Sequence, residues 1–391
     1  MTIQSAVSAS AMLNAAAARL LAAGIDTPRN DAKLLLAEAY AVTPADVEKA
    51  VLLGRPLAAP FDRPAESGRI GSDISIGAES PCTAQADTTA DGHDDKGFAT
   101  AAYQRFEAMI ERRERREPLQ YIVGHAPFRY LDLQVGPGVF IPRPETETVV
   151  QVAIDWLANQ WLKAPRLVDL CAGSGAIGLA LATEVRSSQV WAVERSDDAL
   201  QWARRNEYAT FGCSGDSKRG SVRSRRSVKD GSFAAPSGKR DGAIPGDAPR
   251  AAMADRGQSM GSVVSDLRCN YRLIQGDATD ATTLAELDGT VDAVVTNPPY
   301  IPADQIPQQP EVRDHDPAEA LYGGSVDGLC IPERILLRAA NLLRTGGALI
   351  MEHDSSQGDS LVAFAVAHGF VDAHTGEDLT GRSRYLFAVR R

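Results

Sequence analysis

A short polar motif, Asn297-Pro298-Pro299-Tyr300, follows the apolar run Val291 to Thr296. An Asn side-chain oxygen and a proline carbonyl can both accept hydrogen bonds from a planar amino or amide NH2 group, and an aromatic ring can stack on that flat group. The two prolines make the backbone rigid, as positioning requires. The motif therefore predicts a catalytic site that directs an NH2 nitrogen towards a methyl donor. Such a transfer depends on orientation and electrostatics, and it needs no Ser, His or Cys nucleophile.

A glycine-containing turn lies upstream, where Asp169 ends a predicted strand and Cys171-Ala172-Gly173-Ser174-Gly175 leads into a predicted helix. Glycines let a ligand approach the backbone N–H groups at the start of a helix closely. Glu194 and Asp277 end the next two predicted strands, and an acid at the first of these places can accept both hydroxyls of a ribose. Because open parallel sheets bind ligands at the carboxyl ends of their strands, the three acids predict one nucleoside-binding crevice.

The turn by itself is compatible with two different cofactors. The spacing of Gly173, Gly175 and Gly178 fits the GxGxxG pattern of NAD sites. The turn also resembles the glycine-rich nucleoside loop of S-adenosylmethionine-dependent methyltransferases, although Cys171 stands where that loop usually has a glycine, and a side chain there limits positive φ. The Asn297 motif decides in favour of S-adenosylmethionine as the cofactor.

Several segments together resemble the release factor glutamine methyltransferase family, also called PrmC or HemK. The motif at Asn297 names only the type of acceptor, since it is shared by methyltransferases that act on adenine, guanine or glutamine amide nitrogen. The resemblance runs from about Ala11 to the C-terminus, outside the two segments described below. It is carried by Pro28 to Ala32, Arg116 to Gly124, Ile141 to Glu147, Asn297 to Ile301 and Ala320 to Ile331.

The resemblance implies a fold, an activity and a partner. The fold is a small N-terminal helical bundle, a short connector and a Rossmann-like methyltransferase domain. The activity is N5-methylation of the glutamine in the Gly-Gly-Gln motif of peptide chain release factors, a protein modification in translation termination. The helical domain would dock the release factor.

The resemblance also implies a role for each site residue. Its motif matches place Asp169 and Cys171 to Gly175 by the methionine part of the cofactor, Glu194 at the ribose, Asp277 and Ala278 by the adenine, and Asn297, Pro298, Pro299 and Tyr300 at the substrate amide, with Asn297 also bordering the cofactor.

The segment Ile141 to Glu147 admits two interpretations. Pro144 suits the first turn of a helix, and Glu145 and Glu147 suit its positive end, so the segment can simply begin a helix. Alternatively, Arg143 or Glu145 contacts the substrate.

The elements that carry these motifs divide the chain into three parts. Residues 1–117 are predicted to form a helical domain, in which Met12, Leu13, Ala16, Leu20 and Leu21 share one helix face. Residues 118–147 form a connector. From residue 148 to 391, strands alternate with helices, one of them from about Ile331 to Leu343, which predicts an α/β methyltransferase domain. Its mostly parallel seven-stranded sheet ends in an antiparallel hairpin, Phe370 to Ala373 with Tyr385 to Val389.

The segment 55–97 is rich in Gly, Pro, Ser, Ala, Thr and Asp, and the segment 213–265 is a mixture of Gly, Ser, Arg and Asp without an apolar period. We interpret both as flexible insertions. The second contains an Arg-rich run around Arg219 and Arg223 that an RNA contact would also explain. A solvated loop is the favoured interpretation.

Composition restricts the function classes. The chain has 391 residues, 44% hydrophobic and 24% charged, with a net charge of -10, so we do not expect direct nucleic acid binding. Its five cysteines form no CxxC pair, and no histidine stands at metal-ligand spacing, so we expect no bound metal. The sequence contains no run of membrane-spanning length, and its N-terminus does not resemble a cleaved secretory signal. A cytoplasmic location is expected.

Three alternatives to release factor methylation remain at this point. In the first alternative, the acceptor is a glutamine of a ribosomal protein. In the second, it is a nucleic acid amino group, with the Arg-rich segment as the contact. In the third, the protein is a non-catalytic S-adenosylmethionine-binding module.

Overall fold

A computed structural model describes residues 8–57, 94–212 and 270–391. The two predicted insertions fall largely outside these ranges, and the Arg-rich run around Arg219 falls entirely outside them. No helix within the described ranges has the length and apolar character that crossing a membrane requires.

Twelve helices and nine strands make up the described residues. The helices are α1 (Ala9–Ala22), α2 (Pro28–Ala39), α3 (Pro44–Leu52), α4 (Asp94–Glu114), α5 (Leu119–Val123), α6 (Pro144–Ala158), α7 (Ala176–Glu184), α8 (Asp197–Phe211), α9 (Pro310–His315), α10 (Ala318–Leu321), α11 (Cys330–Leu342) and α12 (Gly358–Ala367). The strands are β1 (His125–Phe128), β2 (Leu131–Gln134), β3 (Arg166–Asp169), β4 (Gln189–Glu194), β5 (Tyr271–Gln275), β6 (Val291–Thr296), β7 (Leu343–Glu352), β8 (Phe370–Glu377) and β9 (Ser383–Arg390).

Helices α1 to α4 pack around one apolar core, here called the N-terminal bundle. Leu20, Leu35 and Phe106 are almost completely buried in it, because apolar residues at helical spacing lie on one face. Leu21 was predicted on the buried face of α1, which is wrong: it is 65% exposed. The next residue after Leu20 lies about 100° further round the helix and so points away from the core.

The connector contains structure that the sequence did not predict. Strands β1 and β2 pair as an antiparallel hairpin, with His125 opposite Gln134. The preceding helix α5 is anchored to the segment after the hairpin by Tyr121, whose hydroxyl donates to the carbonyl of Val139 over 2.6 Å. These elements pack with Ile141 of the segment that follows and with Ala199 of α8 in one buried apolar cluster.

The other seven strands form a single sheet in the order β5-β4-β3-β6-β7-β9-β8. The neighbours from β5 to β7 are parallel, and β9 lies antiparallel between β7 and β8. The predicted seven-stranded sheet with its closing hairpin is therefore confirmed. One boundary differs, because β7 begins at Leu343, which was predicted to end the preceding helix. Because Gly346 and Gly347 interrupt the apolar pattern, the first half of this strand was not predicted from the sequence.

The order of the strands also sets the position of a ligand crevice. From β3 the chain passes to β4 on one side, and later to β6 on the other side. The carboxyl ends of β3 and β6 are therefore adjacent at the point where the strand order reverses, and open α/β sheets bind ligands at such a point.

A cluster of charged side chains joins the N-terminal bundle to the sheet domain. Arg113 at the end of α4 donates to Asp31 over 2.9 Å and to Glu311 over 2.7 Å. Arg116 donates to the second oxygen of Glu311 over 2.8 Å. Asp31 is almost completely buried in the bundle, and Glu311 lies in α9, so Arg113 bridges the two parts of the molecule.

Replacing the bridging arginine should destabilise the fold. In Arg113→Ala the buried Asp31 carboxylate loses its cation, and breaking a buried ion pair on one side costs about 3 to 5 kcal/mol. Urea unfolding of the variant measures this loss. Arg115→Ala, at an exposed arginine two residues further on, serves as the control and should change the free energy of unfolding by less than about 0.5 kcal/mol. Equal effects of the two substitutions would contradict the bridging role.

Candidate active site

A cavity lies at the carboxyl ends of β3, β4, β5 and β6. Its apolar walls come from the sheet and from the helices beside it. All the predicted cofactor-binding residues except Asp169 and Gly175 line it, namely Cys171, Ala172, Gly173, Ser174, Glu194, Asp277, Ala278 and Asn297. We call this space the cofactor cavity.

Asp169 lies beneath the turn after β3 and does not line the cofactor cavity. Its carboxylate is fully buried and accepts hydrogen bonds from the backbone N–H groups of Cys171 over 3.2 Å and Gly178 over 3.0 Å. Burial raises the pKa of Asp169 to about 7. The side chain therefore shapes the turn from below, and only the turn itself reaches the ligand space.

The residues of the turn have distinct geometries. Gly173 has a φ of 56°, and a Cβ added there would meet no atom within 4 Å, so this glycine keeps the cavity side of the turn open. Cys171 is not among the residues with positive φ, so a side chain is accommodated there without strain. Gly178, the third glycine of the GxGxxG spacing, lies inside α7, where an added Cβ would come within 3.0 Å of the Tyr271 ring. Its role is packing.

Glu194 lies at the end of β4 and lines the cofactor cavity. One carboxylate oxygen accepts from the N–H of Gly173 and the other from the N–H of Ser196, each over 2.7 Å. Burial raises the pKa of Glu194. Each oxygen retains a further lone pair, so the fixed carboxylate can accept two ligand hydroxyls.

Asp277 is placed at the end of β5. One of its oxygens accepts from the backbone N–H and the hydroxyl of Thr279, both over 2.8 Å. Burial raises the pKa of Asp277, but the hydrogen bonds from Thr279 outweigh it and lower the pKa overall. Asp277 therefore contributes an ionised carboxylate to the cavity.

The four residues of the motif at Asn297 are divided between two cavities. Asn297 and Pro299 line the cofactor cavity, and Tyr300 lines an adjoining one, while Pro298 is buried. The backbone of Tyr300 is fixed at both ends: its N–H donates to the carbonyl of Leu321 over 3.1 Å, and its carbonyl accepts from Gln357 over 2.8 Å. These two hydrogen bonds hold the backbone of the loop at Tyr300.

The adjoining space, which we call the acceptor cavity, shares Phe140 and Ala320 with the cofactor cavity. Charged side chains from three different parts of the chain also line it: Arg143, Glu145, Glu352 and Arg384. A group bound beside Tyr300 would therefore lie next to a ligand bound beside Asn297.

Hydrogen bonds connect Asn297 and Tyr300 through Thr146, which lines the cofactor cavity, and Glu352, which lines the acceptor cavity. The side-chain nitrogen of Asn297 donates to the hydroxyl of Thr146 over 3.2 Å, and that hydroxyl donates to Glu352 over 2.7 Å. The Tyr300 hydroxyl donates to the other oxygen of Glu352 over 3.0 Å. Burial raises the pKa of Glu352.

The segment before α6 begins that helix, as the first interpretation predicted. Pro144 occupies the first turn of α6, and Glu145 and Glu147 lie at its positive end. Arg143 bonds to the buried Asp316 and stacks on the Phe140 ring, 4.9 Å from its centroid. Arg143 therefore fixes the loop, while Glu145 faces the acceptor cavity.

Sequence reasoning missed part of this site. It did not single out Glu352, Thr146 or Phe140, nor the stretch Pro317 to Ala320. A signal was present for one of them, since Glu352 is a charged residue that ends the apolar run Ala348 to Met351. Among the described residues, no group of three or more His, Cys, Asp or Glu side chains is placed to hold a metal ion.

Comparison with known proteins assigns the chain to a family. A family model described as "PrmC N-terminal domain" matches residues 92–124, and one described as "Conserved hypothetical protein 95" matches residues 120–230. The release factor glutamine methyltransferase of Bifidobacterium longum is 47% identical over 378 residues, which cover 97% of this chain and 98% of that protein. The chain belongs to the release factor glutamine methyltransferase family. A member from Streptomyces coelicolor is 42% identical over 73% of this chain and 80% of its own length.

One relative is named for a different acceptor. The 4-amino-L-phenylalanine/4-methylamino-L-phenylalanine methyltransferase of Streptomyces pristinaespiralis is 35% identical over 78% of this chain and 85% of that protein. Membership of the family rests on the identity over nearly the whole length with the Bifidobacterium longum protein.

The buried Asp169 should make stability depend on pH. Its pKa of about 7 in the folded chain exceeds its ordinary value of 3.8, so the folded state binds the extra proton between these values. The free energy of unfolding should therefore fall as the pH rises towards 7 and then level off. In Asp169→Asn, urea unfolding between about pH 5 and pH 8 should show a shallower fall. The exposed Asp280→Asn is the control, and parallel curves for Asp169→Asn and the unaltered protein would refute the assignment.

Proposed function

We propose that this protein transfers the methyl group of S-adenosylmethionine to the side-chain amide nitrogen (N5) of the glutamine in the Gly-Gly-Gln motif of peptide chain release factors. We expect it to do so in the cytoplasm. The observation that carries the proposal is the position of Asn297, which directly follows β6 and lines the cofactor cavity, three residues before Tyr300 in the wall of the acceptor cavity. Its nitrogen is engaged with Thr146, so its oxygen is left to accept from a substrate NH2 group.

The residues of the cofactor cavity fit S-adenosylmethionine. Glu194 would accept from the ribose hydroxyls, and Asp277 and Ala278 would lie by the adenine, with Ile331 and Ile335 as apolar surface for the ring. The turn from Cys171 to Ser174 would lie against the methionine part. When bound, the sulfonium supplies an activated methyl group with a good leaving group.

The protein's contribution to the reaction is orientation. The Asn297 oxygen and the carbonyl of Pro298 would accept from the two hydrogens of the glutamine amide, which aligns the nitrogen with the methyl group. Tyr300 would border the flat amide on its other side. Because both the loop and the turn are fixed by hydrogen bonds before the substrate arrives, little conformational entropy is lost in reaching the reactive geometry.

The N-terminal bundle supports a protein as the substrate. Its cation Arg113 bonds to Glu311, and the residue after Glu311 is Val312, which lines the acceptor cavity. A partner docked on the bundle would therefore lie beside the cavity that receives its glutamine. The net charge of -10 also favours a protein partner over a bare nucleic acid.

Removing the amide acceptor should abolish most turnover and spare cofactor binding. We expect Asn297→Ala to lower kcat by roughly 100- to 1,000-fold, because one preorganised hydrogen-bonding group at a reacting centre has about this effect. Transfer of label from methyl-labelled S-adenosylmethionine to a release factor measures turnover, and calorimetry measures cofactor affinity. Asn159→Ala, at an exposed asparagine that ends α6, is the control.

The same assay tests the substrate. A release factor whose Gly-Gly-Gln glutamine is replaced by alanine should take up no label, and ribosomal protein and RNA preparations should take up none either. Equal labelling of both release factors, or labelling of RNA alone, would exclude the proposed acceptor.

Glu194 should control affinity for the ribose. We expect Glu194→Ala to weaken S-adenosylmethionine binding by about 10- to 100-fold, the value of one or two hydrogen bonds to a charged acceptor. The exposed Glu286→Ala should bind as the unaltered protein does. Competition with 2′,3′-dideoxyadenosine separates direct contact from a distorted turn, because this ligand lacks the hydroxyls. If the substitution weakens both ligands equally, Glu194 does not hold the ribose.

A further inference from the structure

Glu352 is a buried acid without an ion pair among the described residues. It ends β7 and is 2% exposed. Burying a carboxylate is costly unless hydrogen bonds compensate. The side-chain donors to Glu352 are two hydroxyls, those of Thr146 and Tyr300. Both hydroxyls are connected to the motif at Asn297, because Tyr300 belongs to that motif and the Thr146 hydroxyl accepts from Asn297.

The number of available protons fixes the direction of these bonds. The Thr146 and Tyr300 hydroxyls each donate to a different oxygen of Glu352, so the single proton of each hydroxyl is used in that bond. The Thr146 oxygen then has no proton left for Asn297 and can only accept from it. Asn297 must therefore turn its NH2 group towards Thr146 and its oxygen away from it.

The opposite orientation of the Asn297 side chain would defeat its function. An NH2 group facing the substrate would meet the NH2 group of the glutamine amide, and two donors repel. Asparagine has little intrinsic preference between the two orientations, since its oxygen and nitrogen have nearly the same size. The choice must come from its hydrogen-bonding partners.

We propose that Glu352 is a positioning residue for the methyl transfer. Acting through the Thr146 hydroxyl, it orients the Asn297 amide so that the oxygen faces the substrate, and through its other oxygen it holds the Tyr300 ring. Three separate parts of the chain meet in this arrangement: the first turn of α6, the loop after β6 and the end of β7. The proposal rests on the proposed function, whose reaction it deepens.

Substitutions at Thr146 separate orientation from packing. Thr146→Val keeps the shape of the side chain but removes the hydroxyl, so we expect kcat to fall by about 100-fold, as for a misplaced reacting group. Cofactor affinity and the KM for the release factor should stay within about twofold, because the hydroxyl is engaged by Asn297 and Glu352, and valine keeps the volume of Thr146 in the wall of the cofactor cavity. Thr146→Ser restores the hydroxyl and should recover most of kcat. Thr183→Val, which removes a hydroxyl bonded within α7, is the control.

Glu352→Gln tests the acid itself. A glutamine has its own donor, so Thr146 and Tyr300 are no longer both obliged to donate, and kcat should fall about as far as in Thr146→Val. Since the two residues act as one unit, the double variant should be no slower than the slower single variant. Thermal unfolding and calorimetry on each variant show whether the fold and the cofactor site are intact.

The kcat values of these variants test the positioning role of Glu352. If Thr146→Val or folded Glu352→Gln keeps full kcat, or if Thr146→Ser is as slow as Thr146→Val, the positioning role is wrong. Losses that multiply in the double variant would also overturn it. If the unaltered protein binds S-adenosylmethionine but labels no release factor, the proposed function fails instead, so the two failures are distinguishable.

Discussion

The carboxylate of Asp169 sets the shape of the turn on which the rest of the site depends. It accepts from two backbone N–H groups, one at the start of the turn and one inside α7, and so closes the turn into a fixed loop. Only with the loop in this shape does the N–H of Gly173 reach Glu194. Asp169 thus acts without lining the cofactor cavity. It holds the turn in place, and the turn in its turn holds Glu194, which faces the cavity.

Acidic residues recur at the strand ends of this sheet, but they have different tasks. Asp169 supports a turn, Glu194 and Asp277 face the cofactor cavity, and Glu352 accepts from the hydroxyls of Thr146 and Tyr300. The strand ends place all four near one edge, and the local donors decide what each can do. Thr279 keeps Asp277 ionised, whereas burial raises the pKa of Asp169 and Glu352.

Sequence patterns predicted the features that depend on local order. The alternation of strands and helices predicted the seven-stranded sheet, and the motifs at Cys171 and Asn297 predicted several of the residues that line the cofactor cavity. Features that depend on distant neighbours were not predictable. The hairpin of β1 and β2 has strands of only four residues, too short for a periodic pattern. Thr146 and Glu352 are 206 residues apart, and only the folded chain brings them together.

The antiparallel insertion of β9 between β7 and β8 has a consequence for the order in which the molecule is assembled. Glu352 stands opposite Tyr385 in the register of β7 and β9. During synthesis, β7 can pair with β6 as soon as it emerges, but its other edge stays open until residues 383–390 have left the ribosome. The strand that carries Glu352 is therefore completed by a segment that is made well after β7 itself. A nascent chain can form the cofactor cavity before it can complete the support beneath Asn297 and Tyr300.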